Sequence, residues 1–79
     1  MQMYSDNQTD PHGLTERELD VLRYLMEGLT NKEIADKLTV THHTVKAHVA
    51  SIIRKLGARN RLDVAMIAQK ARLLNLPQD

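Results

Sequence analysis

The 79-residue sequence predicts an all-α fold, a compact four-helix domain, and three observations carry that expectation. Capping signatures recur, Thr15 with Glu18 and Thr30 with Glu33, in which a threonine oxygen takes an orphan amide and a glutamate reaches back to the cap. Gly28 and Gly57 close two apolar-periodic segments, as left-handed residues do at helix ends. No β-branched run alternates between two turn signals, so nothing asks for a strand.

Residues 1–13 (MQMYSDNQTDPHG) are polar and aperiodic; they read as a flexible linker or arm, which leaves 14–76 as the domain. A first helix over about 15–27 has Leu19, Leu22, Leu25 and Met26 as its apolar stripe and stops at Gly28. A second, 31–38, has Ile34, Ala35 and Leu38 inside and is kept short by the β-branched triplet Thr39-Val40-Thr41. Thr41 caps a third, 42–56, whose Val45, Val49, Ile52, Ile53 and Leu56 lie within about 50° of one direction at about 100° per residue. Asn60 caps a fourth, 61–74, and Pro77 excludes further helix.

A chain of this size makes one domain and buries only about 60% of the surface its unfolded form exposes. With no cysteine, neither a disulfide nor a thiolate metal site can staple it. No apolar run approaches the roughly 18 residues of a membrane span, and the first residues lack a secretory pattern, so a soluble cytoplasmic protein is expected.

The formal net charge of +1 conceals an asymmetry. Residues 1–36 carry eight acids against three bases, whereas 37–62 carry Lys37, Lys46, Arg54, Lys55, Arg59 and Arg61 and no acid. An acid-free basic stretch suits a polyanion. Within it, a short helix, a three-residue turn holding Val40 and a longer helix match the helix-turn-helix of DNA readers. The longer helix is about 10–12 Å wide with side chains, which fits a major groove about 12 Å across.

Opposite the apolar stripe of that third helix lie His43, Ala47, Ala50 and Arg54, flanked by Lys46 and Ser51. Small residues permit close approach and contact with a thymine methyl, while Lys46 and Arg54 are able to donate to guanine or phosphate. A merely solvated helix face more often carries glutamates in i,i+4 ion pairs, and this one has none. The helix starts at Thr41–Thr44 and near Asn31-Lys32, with the hydroxyl of Thr30, offer positive ends to phosphate; Ser51, Lys55 and His48 are further phosphate candidates.

The segment LTERELDVLRYLMEGLTNKEIADKLTVTHHTVKAHVASIIRKLGARNR resembles the DNA-binding domain of LuxR/NarL/GerE-type response regulators and quorum-sensing activators, over about Leu14 to Leu74. Its densest blocks are LTERE, GLTNKEIA, TVKAHV and KLGARNR. The resemblance implies a four-helix domain that binds paired half-sites of double-stranded DNA as a homodimer, attached to a receiver or ligand-binding domain and controlling promoters. Position by position, it implies Lys46 and Ala47 at base edges, Thr44 and His48 near the backbone, His42 and His43 where specificity varies, and Asn31 and Lys32 near phosphate. Ala50 departs from members with lysine there, so the target sequence does not carry over.

The fourth helix is apolar on two sides. Val64, Ile67, Ala68, Ala71 and Leu74 make one face; Leu62, Met66, Gln69 and Leu73 make another about 160° away, with Ala65 and Leu76 beside it. The second face is covered either by the arm or a further domain, or by a second copy; the resemblance places the dimer contact on this helix.

Other classes fit less well. His42, His43 and His48 point in three directions along a helix, without the i,i+4 pairing of a metal-binding helix, and no metal or other cofactor is expected. There is no Gly-rich phosphate loop and no serine–histidine–acid set with a pocket, so an enzyme is not expected. The acids of the first two helices read as a solvated face. Two rivals stay open: a protein-interaction module docking on RNA polymerase or a receiver domain, and a sigma-like promoter-reading domain.

Overall fold

The computed structural model describes residues 13–71. Four helices follow one another: α1 (Glu16–Met26), α2 (Asn31–Leu38), α3 (His42–Leu56) and α4 (Arg61–Ala71). Among the described residues there is no strand. The expected arm, apart from Gly13, lies outside the described residues, as do residues 72–74 of the expected fourth helix and those that follow them.

The helix starts are built as the sequence indicates. Thr15 accepts the Glu18 amide at 3.1 Å while the Thr15 amide donates to Glu18 Oε1 at 3.0 Å. The Thr30–Glu33 pair repeats this at 3.2 and 2.8 Å. Thr41 Oγ1 accepts the Thr44 amide at 3.1 Å, and Asn60 Oδ1 accepts that of Asp63 at 2.9 Å.

The first three helices end alike. The amides of Leu29, Val40 and Ala58 reach back five residues, to the carbonyls of Tyr24, Ala35 and Ile53 at 3.2, 3.0 and 3.0 Å. Each amide follows a residue with positive φ: Gly28 (91°), Thr39 (59°) and Gly57 (66°). This is the Schellman termination, and its usual apolar contact is present, since Leu29, Val40 and Ala58 are half-buried against the core. The sequence marks the two glycine stops, and its β-branched triplet marks the end of α2 at Leu38. It does not mark the left-handed geometry there, where Thr39 holds a backbone conformation that costs an L-residue about 1–2 kcal/mol.

α3 is the hub: it packs against α1, α2 and α4. Its Val45, Val49 and Ile52 are buried among Leu14, Val21, Leu22, Leu25, Ile34, Ala35, Val64 and Ala68. Leu14, just outside the α1 cap, is fully buried, the position from which an apolar residue staples a helix start. The α1 stripe is rotated from the one read in the sequence: Val21, Leu22 and Leu25 are buried, whereas Leu19 and Met26 are only partly covered. The four-residue step from Leu22 to Met26 and the central Val21 make several stripe axes compatible with the pattern, and only packing selects one.

Thr39→Gly is expected to raise stability by about 0.5–1 kcal/mol, because relief of the left-handed strain exceeds glycine's added chain entropy. Urea unfolding measures it; an unchanged or lower midpoint would show that Thr39 is not strained.

Candidate nucleic-acid interface

With α3 held by its apolar side, its opposite side is open. His42, His43, Lys46, Ala47, Ala50 and Arg54 are all exposed, and Thr44 is half-buried. These seven sequence-predicted residues are thus brought together on one helix. The first amides of α3 belong to His42 and His43; that of Thr44 is already taken by Thr41, and the two threonine hydroxyls are 3.0 Å apart. His48 is half-buried at the margin of this face.

Lys32 and Thr30, at the α2 start, are exposed. Asn31 is half-buried and accepts, through Oδ1, a hydrogen bond from Arg61 Nη1. Thr30 Oγ1 is the acceptor of its cap, which leaves the hydroxyl hydrogen for another partner.

Ser51 and Lys55 stand apart from the open face. Ser51 Oγ donates to Glu18 Oε2 at 2.6 Å, and Lys55 Nζ donates to Glu18 Oε1 at 2.8 Å and to the Gly13 carbonyl at 3.1 Å. Arg54 reaches Ser51 Oγ from the open side at 3.4 Å. Glu18, only 5% exposed, is therefore more than a cap residue. It is the one buried acid of α1 and α2; Glu16, Glu33 and Asp36 are exposed as expected, and Asp20 is half-buried beside Arg17 and Arg23. Nothing local in LTERE marks this second use, because the partners lie 33 and 37 residues downstream. Burial by itself raises the Glu18 carboxyl, but the hydrogen bonds from Lys55, Ser51 and the Thr15 backbone, with the Lys55 charge, hold it below the ordinary glutamate value.

The basic stretch is thinned in the same way. Lys55 pairs with Glu18, and Arg59 pairs with Asp63 at 3.4 Å. The Arg59 backbone and side chain hold the Asp63 carboxyl below its ordinary value. Arg61 turns onto the α2 start. Lys37, Lys46 and Arg54 form no ion pair among the described residues and are exposed. Two of those three lie on α3.

On α4, Val64 and Ala68 are buried, whereas Leu62 is 73% and Met66 55% exposed. Gln69 is exposed as well. Ala65, expected beside them, packs partly on the core. Ala71, expected on the inner face, is exposed.

Among the described residues, no group of three or more histidines and acids is placed to hold a metal ion. No helix there is long and apolar enough to cross a membrane.

A short helix, a left-handed turn and a longer helix open on one side define a helix-turn-helix domain. The family model for bacterial regulatory proteins of the luxR family matches residues 12–68, and the chain belongs to that family. It is 57% identical over 53 residues to the transcriptional regulatory protein LnrK of Bacillus subtilis, covering 67% of this chain and 24% of the relative. It is 48% identical over 54 residues to the nitrate/nitrite response regulator protein NarP of Escherichia coli, covering 68% and 25%. With the transcriptional regulatory protein LiaR of Bacillus subtilis the identity is 44% over 66 residues, covering 82% and 31%. The chain spans about a quarter to a third of the length of these curated relatives.

Lys55→Met is expected to destabilise the domain by about 2 kcal/mol at neutral pH, reduced from the fully buried case because Lys55 is 28% exposed. Because the folded-state pKa of Glu18 is lowered, its contribution is present above the unfolded value and lost as pH falls through the folded one. The gap between wild type and variant should therefore be full above about pH 5 and close below it. Denaturant titrations across pH measure it; a gap independent of pH would remove the Glu18 pairing as the cause.

Proposed function

We propose that this chain is the double-stranded-DNA-reading domain of a bacterial transcription regulator, with α3 in the major groove. The observation that carries this reading is the exposed, acid-free face of α3. It has Ala47 and Ala50 at its centre, Lys46 and Arg54 at its edges, and its back buried in the core. His42, His43, Lys46, Ala47, Ala50 and Arg54 face base edges, and Thr44 lies beside them. Thr30, Asn31, Lys32, Thr41 and His48 meet the sugar-phosphate backbone. Ser51 and Lys55 act instead through Glu18, holding α3 on α1.

Leu62, Met66 and Gln69, with Ala65 beside them and Leu73 beyond the described residues, form the surface for a second copy. A symmetric pair then presents two α3 helices to two half-sites. Membership of a family of regulators several times longer supports a further receiver or ligand-binding domain in the whole protein.

Lys46→Glu is expected to abolish specific binding to duplexes selected from a random pool while leaving helicity by circular dichroism intact. Binding of the variant at moderate salt would overturn the assignment of this face. Wild-type affinity should fall steeply with salt as counterions are released, whereas a purely protein-binding module would bind no duplex even at low salt. Met66→Asp should weaken binding to paired half-sites by roughly tenfold, about 1.4 kcal/mol, and barely change binding to one half-site. Equal losses on both would remove the pairing surface.

A further inference from the structure

Arg61 opens α4, yet its guanidinium leaves that helix. Nη2 donates to the Leu29 carbonyl at 2.6 Å, and Nη1 donates to Asn31 Oδ1. The fork straddles Thr30, the cap of α2, and grips the chain on both sides of it. α2 and α4 scarcely touch as helices, since each packs chiefly on α3 and α1. Arg61 is the polar link between their starts.

Charge alone does not explain this placement. A cation beside the positive end of a helix is unfavourable, and no acid pairs with Arg61 among the described residues. Geometry does explain it, because a planar fork meets two oxygens at once, which an ammonium on a flexible stem does not match. There is also a chemical consequence for Asn31. Its side chain carries one acceptor end and one donor end, and an unconstrained amide is free to present either. With Oδ1 engaged by Arg61, the NH2 is the end left for a partner, and phosphate oxygens accept only donors.

We propose that Arg61 is a positioning residue. It fastens the first turn of α2 to the start of α4 and sets the Asn31 amide with its donor end available to phosphate. This rests on the DNA-reading function above and deepens it. One side chain joins the turn assigned to phosphate to the helix assigned to pairing, where the next residue, Leu62, is 73% exposed. Arg61 itself contributes no phosphate contact.

The test uses the 79-residue chain and a short mixed-sequence duplex, since phosphate contacts do not depend on sequence. Arg61→Lys keeps the charge and loses the fork; Arg61→Gln loses both. Both are expected to weaken duplex binding alike, by roughly five- to tenfold. In an Asn31→Ala background, Arg61→Lys should add less than about twofold, the non-additivity of residues acting as one unit. A direct phosphate contact would instead leave Arg61→Lys near wild type and lower the salt slope of Arg61→Gln by about one; that result overturns the proposal.

A second readout needs no DNA. Amide exchange at Glu33 and Ile34 should accelerate in Arg61→Lys while Val49 and Ile52 keep their protection, which also separates a local release from a failure to fold. Unchanged exchange at Glu33 and Ile34 would overturn the fastening role whatever the duplex data. If wild type binds no duplex while exchange responds as expected, the DNA-reading function fails and the fastening stands alone.

Discussion

Three aliphatic side chains on one side of α3, Val45, Val49 and Ile52, hold the domain together. They are buried among residues drawn from all three other helices and from Leu14. Apolar burial contributes roughly 1.5–3 kcal/mol per large side chain, and in a chain this small few other terms are of that size. The same burial decides which side of α3 faces outward. A helix anchored along one stripe must present the opposite one, and here that stripe carries no acid. The open face, to which the proposed function assigns DNA reading, is thus the geometric complement of the core.

Polar contacts refine what apolar packing begins. Glu18 receives Ser51 and Lys55 from α3 while it still caps α1, so a single buried carboxylate fixes how α3 lies along α1. Paired and hydrogen-bonded, such a group is stable when buried; with a partner removed it is costly. Arg61 does a similar service between α2 and α4 with a weaker demand on burial. Both are long-range ties between segments thirty or more residues apart. Together they tie α3 to α1 and the α2 start to α4, a frame that the proposed contact with phosphate and bases at once requires.

The charge pattern shows how a linear count misleads. Six bases without an acid suggest a uniformly positive segment, but Glu18 and Asp63, from outside the segment, neutralise Lys55 and Arg59, and Arg61 is turned inward. The exposed positive charge of the segment that forms no ion pair among the described residues, and is not turned inward, lies on Lys37, Lys46 and Arg54. A smaller charge in a defined place specifies a docking pose better than a larger one spread along the chain, because screening erases distant charges first.

Local rules made the helices legible. Caps at Thr15, Thr30, Thr41 and Asn60, stops at Gly28 and Gly57, and the stripe of α3 are all set by interactions within a turn or two, so the residues themselves determine them. The open face of α3 was legible for the same reason, as the far side of a periodic pattern. What folding alone decided lies beyond a helical turn: the rotation of the α1 stripe toward Val21, and, with partners thirty or more residues apart, the removal of Ser51 and Lys55 to Glu18 and the fork of Arg61 around Thr30. Nothing within a helical turn distinguishes a lysine bound for solvent from one bound for a buried carboxylate; that difference exists only once the helices have met.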